Sequence, residues 1–375
     1  MKETAPNEEE GIKNKGKLLL DATCIPQDIR YPTDLSLLNE AREKTEGMID
    51  RMHEANGKEG KKPRTYRKRA RKEYVTLAKQ RKKSWKAIRG GIRKQLGYVR
   101  RNLKNIKKLA ENIKNKIISK VKEQNPEKTQ EIIKEQGENI GYKVLNKRGQ
   151  RNLEVCIKVF EQQDEMYKNK VQRVEDRIVS ISQPHVRPIK RGKAGAETEF
   201  GSKLLISVVD GYSRIEKLAW DNYNEGNEFI DSVKAYKKRY GYYPESVHVD
   251  KIFLTKENRK YCKENGIRIT GPPLGRRSSD EKKTREAQKL EAQDGRDRIP
   301  VEGKFGNCKR KYGLNRIFAK KKDTSECEIA VGILLLNLDK QLRVCISAIS
   351  NESRFNGVIQ SNSCNNDINS QVKAA

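Results

Sequence analysis

One apolar strand near the N-terminus is separated from every other strand-like segment of this chain by about 150 residues. Its sequence, Lys17-Leu-Leu-Leu-Asp-Ala-Thr-Cys-Ile-Pro26, is apolar at successive positions, the pattern of a strand covered on both faces, and Pro26 stops it. An extended period returns only at 178–182, 200–210, 214–220, 247–249 and 267–270. Everything between is helical in pattern. A lone strand leaves its backbone groups unpaired, so the first strand must join the later ones. The expected fold is one mixed α/β sheet with a large helical insertion after its first strand. The expected parts are a polar lead-in (1–16), the first strand segment (17–34), the insertion (35–177), the rest of the sheet domain (178–345) and a disordered Asn/Ser-rich tail (346–375).

The insertion carries most of the charge. The chain has a formal net charge of +31, and residues 61–122 hold 25 Lys and Arg against two acids, Glu73 and Glu111. Leu96, Val99, Leu103, Ile106, Leu109, Ile113, Ile117 and Val121 step by three and four, so these cations flank a helical stripe. Gly90-Gly91 is a possible kink, and further helices are predicted at 127–146 and 150–177. Asp34 is read as the N-cap of a helix beginning Leu35. A charge this large favours a polyanionic partner. Arg67, Arg71, Arg81, Lys82, Arg93, Arg100 and Arg101 are therefore assigned to DNA-backbone binding, a contact that is largely non-specific and steep in salt. The bland alternative is a solvated helical face.

Several classes are disfavoured. The apolar run Ile329-Ala-Val-Gly-Ile-Leu-Leu-Leu336 is too short to span a bilayer, so no membrane partner is expected. Seven scattered cysteines without a C-x-x-C argue against zinc and disulfides and for a reducing cytoplasm. Three histidines make a His-based metal site or a Ser-His triad improbable.

Carboxylates in strand contexts point to chemistry. Asp21 follows Leu18-Leu19-Leu20, Asp250 follows Val247-His248-Val249, and Glu302 lies on a helical segment with Arg298 four residues before and Lys309 seven after. A buried carboxylate is costly unless it is paired or holds a cation. Two divalent ions held by such oxygens can activate a nucleophile and stabilise a leaving oxygen on a phosphodiester. Each acid alone is equally an ordinary turn, cap or surface residue. Asp28 and Asp210 are read as turn residues, His248 and Trp220 as packed, and Trp85 as either packed or stacked on a base.

Residues 17–34, Val249-Asp-Lys251 with Asn258-Arg259, and Arg298-Ile-Pro-Val-Glu-Gly-Lys-Phe-Gly-Asn-Cys-Lys309 resemble the DDE transposases of bacterial insertion sequences, in the insertion-sequence-four/five superfamily. The resemblance covers about 17–40 and 178–340. It implies an RNase H-like fold with Asp21, Asp250 and Glu302 holding two Mg²⁺ (or Mn²⁺) ions. In that reading Asp21 bridges both ions, and Arg298 and Lys309 hold DNA phosphates. Element ends and target DNA are the implied partners, a homodimer on DNA the implied assembly, and the bacterial nucleoid the implied location. Two departures are expected to matter: Gly295 stands where the family has Tyr, and only sixteen residues precede Lys17, so a recognition domain ahead of the first strand is expected to be missing. Another RNase H-like nuclease and a non-enzymatic nucleic-acid-binding protein are the rival readings.

Overall fold

The computed structural model describes residues 13–124, 137–193, 196–272 and 281–372, and these divide into two compact units, Met1–Gln27 with Ile189–Ala375, and Asp28–Pro188.

The first unit is built on a six-stranded mixed sheet. Its strands are β1 (Lys17–Pro26), β2 (Arg187–Lys193), β3 (Ala196–Val209), β4 (Tyr212–Ala219), β5 (Ser246–His248) and β6 (Arg268–Ile269), in the order β2-β3-β1-β5-β6 with β4 on β3. The early strand is central. It pairs antiparallel with β3 from Leu19↔Val208 to Pro26↔Gly201, and parallel with β5 at Leu18↔Val247 and Leu19↔His248. Asp210 and Gly211, at φ 49° and 82°, form the two-residue connection from β3 to β4, an Asp-Gly turn of the kind that matches strand twist.

Both faces of this sheet are covered. Leu18, Leu20, Leu205 and Val247 pack against Phe229, Val233, Tyr236 and Cys262, which belong to helices Phe229–Tyr240 and Lys256–Glu264. Leu19, Ile25, Leu204 and Ile206 pack on the opposite side against Val301, Phe305 and Cys308 of a 31-residue helix, Glu281–Lys311, and Ile329, Ile333 and Leu336 of the last helix, Lys322–Val372. This explains why the run Leu18–Leu20 is continuously apolar rather than alternating. Gly241 and Gly266 take the left-handed conformation just past two of these helices, which only glycine adopts without strain.

The second unit is helical. In chain order over both units the helices are α1 (Asp34–Ala55), α2 (Arg67–Ala78), α3 (Trp85–Gln124), α4 (Lys147–Asn169), then α5 (Phe229–Tyr240), α6 (Lys256–Glu264), α7 (Glu281–Lys311) and α8 (Lys322–Val372). α1, α3 and α4 bury a shared core of Leu38, Val99, Cys156 and Val159, continued by Ile49, Met52, Ile106 and Leu145. The apolar stripe of α3 thus faces the core, and its cations face outward.

Several local expectations change. Thr33, not Asp34, caps α1: its Oγ1 accepts from Ser36 N while Ser36 Oγ accepts from Thr33 N, a reciprocal cap. Asp34 instead accepts from Arg177 and Gln163. α3 runs unbroken through Gly90-Gly91, where a Cβ on Gly91 would meet the Leu77 side chain. Residues 178–182 are not a strand. Ile178 and Ile181 bury into the helical core, which supplies the apolar environment that an extended pattern alone assigns to a sheet. The helix predicted at 127–146 falls partly outside the described residues. Its described part is a short 3₁₀ turn, Gly137–Tyr142. Residues 273–280 also lie outside them. The helical segment that carries Glu302 extends over Glu281–Lys311 as one helix, α7, with Pro300 inside it. Pro300 is exposed, so the carbonyl it leaves without a donor faces water. α8 carries helix into the segment whose composition predicts disorder beyond 346.

Arg42 is the largest fully buried side chain among the described residues. It donates to Glu46 at 2.6 Å and to Asn39 at 2.8 Å, and Arg67 reaches the other Glu46 oxygen at 3.1 Å. Removing one partner of a buried pair strands the other. Glu46→Ala is expected to destabilise the helical unit by about 3 kcal/mol. The double replacement Arg42→Met, Glu46→Leu is expected to cost far less, as read by urea unfolding followed by far-ultraviolet circular dichroism. Equal losses in the two variants would show that the pair's charge is not what matters.

Candidate active site

The sheet register brings the acids together. β1 and β5 run parallel with Leu19 opposite His248, so Asp21 and Asp250 each lie two residues farther along neighbouring strands, at the same level. Asp250 follows the end of β5, and its Oδ1 accepts from Lys251 N at 2.9 Å as the chain turns into a 3₁₀ segment. Glu302 comes from α7, one residue after the fully buried Val301, so the helix face that packs on the sheet also sets Glu302 beside the strand ends. Asp21, Asp250 and Glu302 line one cavity of about 600 Å³ together with Arg298, Lys309, Lys203 and Glu225.

The two cations expected from sequence are both there. Arg298 donates to Glu302 at 2.9 Å and lies 3.7 Å from an Asp250 oxygen, linking two of the acids. Lys309, seven residues after Glu302 and so on the same side of α7, donates to Thr23 Oγ1 on β1 at 3.0 Å. Asp21 accepts from Ala22 N at 2.8 Å. Burial nevertheless pushes its carboxyl up to about 6, opposed by that hydrogen bond and by Arg298, and reinforced by Asp250 and Glu225. A desolvated carboxylate next to two others is a group that gains from a cation.

Lys203 and Glu225 escape a sequence reading. Lys203, on β3 opposite Cys24, is largely buried, pairs with Glu225 at 2.8 Å and donates to Tyr223 O at 2.7 Å. Its signal was available as the single charge in the buried stretch Gly201–Val209 of that strand. Glu225 had none, because it reaches the cavity only through the turn after β4. Gly295 lies on α7 with nothing within 4 Å of where a Cβ would stand, so packing does not exclude a larger residue there. Trp220 is buried and donates to Glu326 at 2.8 Å, in keeping with a packing role, while Trp85 is 58% exposed at the start of α3.

Residues 247–339 match the family model of the transposase DDE domain. The match supports a DDE transposase. It spans Asp250, Arg298, Glu302 and Lys309 and leaves out Asp21, which the sheet register nonetheless sets beside Asp250. The mixed α/β architecture is compatible with such a domain. No curated protein and no solved structure matches the chain. Among the described residues no helix is long and apolar enough to cross a membrane.

Two groups could hold a divalent metal. The three acids of the cavity, less closely gathered, offer hard oxygen donors of the kind a divalent cation takes, and Arg298 is paired with two of them. The second group is His248, Asp294 and Asp297, whose donor atoms lie within 4.8 Å of one another. There Arg268 holds Asp294 at 2.8 Å and Lys17 holds Asp297 at 2.6 Å. His248 accepts or donates at Ser246 Oγ, 3.1 Å away, and burial lowers its basicity.

Because the folded-state pKa of Asp21 lies above its ordinary 3.8, its contribution favours the fold at low pH and is lost as pH rises through about 6. Asp21→Asn is therefore expected to stabilise the chain by about 1–2 kcal/mol at neutral pH in a chelating buffer, and by little near pH 4. Thermal unfolding of both proteins at the two pH values reads this, and a destabilised Asn variant at neutral pH would show that the carboxylate is not under strain.

Proposed function

We propose that this chain is a DDE transposase that cuts and joins DNA, with Asp21, Asp250 and Glu302 as its catalytic acids. The observation that carries the reading is the meeting of Asp21 with two acids more than two hundred residues away, in one cavity flanked by Arg298 and Lys309. The sheet unit is read as RNase H-like, and the helical unit as an insertion after its first strand. The acids would hold two ions of Mg²⁺ (or Mn²⁺), which when bound supply an activated oxygen nucleophile and a stabilised leaving oxygen.

The chain's own residues do the rest. Arg298 offers a planar fork of donors suited to a phosphate, and Lys309 a point charge anchored on Thr23. Lys203 and Glu225 neutralise each other, so they shape the cavity wall without adding net charge. In the first reaction water attacks a phosphodiester at an element end and leaves a 3′-hydroxyl. In the second that hydroxyl attacks the phosphorus of a target phosphodiester, forming the new phosphodiester while the target strand's own 3′-oxygen leaves as a hydroxyl. A homodimer would hold two element ends.

The helical unit is read as the DNA-backbone surface. Arg71, Arg81, Lys82 and Arg93 are exposed. Arg67 is engaged with Asp50 at 2.7 Å, Arg100 with Asp164 at 2.7 Å, and Arg101 stacks over the rings of Tyr66 and Tyr98. The first four are the better candidates for binding phosphates, and the last three for holding the unit together.

Two measurements test this reading. Asp250→Asn is expected to abolish Mg²⁺-dependent nicking and strand transfer by more than a hundredfold while sparing duplex binding, and cleavage at the wild-type rate would remove Asp250 from the site. Strand-transfer products, beyond nicks, distinguish a transposase from another RNase H-like nuclease. Replacing Arg71, Arg81, Lys82 and Arg93 with Gln is expected to weaken duplex binding. It should also flatten the dependence on salt, by about 0.9 in log–log slope for each phosphate that is no longer neutralised. An unchanged slope would move the DNA surface elsewhere.

A further inference from the structure

We infer that the helical unit holds a single nucleotide, base inward, in the cleft between α2 and α3. The cleft encloses about 500 Å³, within the roughly 300–1,000 Å³ of small-molecule sites. Ala87, Gly90, Gly91, Lys94 and Gln95 stand at i, i+3, i+4, i+7 and i+8, so one face of α3 forms one side of it. Leu35 and Leu77 line it as apolar walls, and Tyr74 of α2 adds an aromatic one.

Two independent observations point to an occupant. Gln95 is 1% exposed, and its Nε2 donates to Ala70 O at 3.3 Å, which sets the direction of the amide. Its Oε1 is left buried with no hydrogen-bond partner. An acceptor stripped of water and given no donor is costly, and this one belongs to a residue that lines the cleft. Gly90 is the second observation. Glycine inside a helix weakens it, so two in succession call for a reason. Gly91 has one in packing, because a Cβ there would meet the side chains of Leu77 and Leu35. Gly90 has none, because a Cβ there would meet nothing within 4 Å. What Gly90 leaves open is the cleft itself.

The chemistry of the lining selects the ligand. Arg69, Lys72 and Lys94 line the cleft against one acid, Glu73, which is already shared by Arg69 at 3.3 Å, Lys94 at 3.4 Å and the Tyr98 hydroxyl at 3.0 Å. An excess of cations remains, and Lys72 is exposed. A nucleotide answers all of these groups at once. The faces of its base suit the leucine and tyrosine walls, an exocyclic amine donates to Gln95 Oε1, and the phosphate meets the cations. An inorganic anion would leave the apolar walls unused and bring only acceptors to Oε1. A bound water would satisfy Oε1 and nothing else. A free nucleotide and an unpaired nucleotide of DNA present the same groups.

The full chain, freed of nucleic acid by nuclease and high salt, is titrated with AMP by calorimetry. Saturable binding of one AMP per chain is expected. Purine riboside 5′-monophosphate, which lacks the exocyclic amine, is expected to bind about tenfold more weakly to the same protein. Gly90→Leu, which fills the cleft from a position where a Cβ meets nothing, is expected to weaken AMP by more than about tenfold with helix content unchanged. Gly97→Leu places the same side chain on the same helix outside this cleft, again with nothing within 4 Å, and should bind AMP as the wild type does. Duplexes with and without one unpaired adenine identify the source. A preference for the unpaired base that Gly90→Leu removes assigns a nucleotide of DNA, and AMP binding without that preference assigns a free one. No saturable binding in either arm would overturn the inference. So would equal affinity for the nucleotide without the amine, full displacement by equimolar inorganic phosphate, or unweakened binding in Gly90→Leu. Cleavage is not read in any of these measurements, so the cleft and the catalytic reading stand or fall separately.

Discussion

The pairing of β1 on both edges decides the character of the sheet unit. A strand paired with β3 along its length and with β5 at its start loses water over most of its residues, and Leu18, Leu20 and Ile25 are fully buried. Asp21 sits inside that run. Its backbone is fixed opposite Ile206 of β3, so the carboxyl is held where burial raises its pKa. The surrounding charge answers that cost. Arg298 lies between Asp250 and Glu302, Lys309 is tied to β1 through Thr23, and Lys203 cancels Glu225. The cavity therefore sets one desolvated carboxylate, Asp21, beside two exposed ones, Asp250 and Glu302, and supplies cations from a helix that must in any case pack there through Val301 and Phe305.

Much of this was legible from residue order, for identifiable reasons. Asp21 and Asp250 announce themselves because each follows an apolar or buried run of three residues, the first inside β1 and the second just past β5. The spacing of Arg298, Glu302 and Lys309 is a helical spacing, and periodicity needs no tertiary information. What could not be read depended on packing between distant residues. Thr33 and Asp34 are both acceptable caps, and the choice fell to Thr33 because Asp34 is engaged by Arg177 and Gln163, more than a hundred residues away. Residues 178–182 alternate like a strand but find their apolar cover among helices. Glu225 enters the cavity through a turn whose position follows from the β3–β4 register and its irregularity between Leu205 and Ile206.

The helical unit shows why a count of cations is a poor map of a binding surface. Arg67, Arg100 and Arg101 look identical to Arg71 and Arg93 in composition. Yet the first three are committed to carboxylates or aromatic rings within the unit. An arginine already paired must give up that partner before it holds a phosphate, and the exchange returns little net energy. Cations with no such competitor contribute their full counterion release.

The same reasoning separates the two acidic groups of the sheet unit. His248, Asp294 and Asp297 are the more tightly gathered, and by proximity alone they would be the better metal site. Proximity is not the governing quantity. Asp294 is held by the Arg268 guanidinium through three hydrogen bonds between 2.8 and 3.0 Å, and Asp297 is bound by Lys17. A cation entering there would have to displace two established ion pairs, one of them largely buried, and would gain only a poorly basic imidazole in return. In the open cavity a cation would instead relieve the desolvated Asp21 and take over from Arg298 the neutralisation of Asp250 and Glu302. The looser group is the better ligand set because its one desolvated acid, Asp21, has no ion pair to give up, and Asp250 and Glu302 share a single arginine.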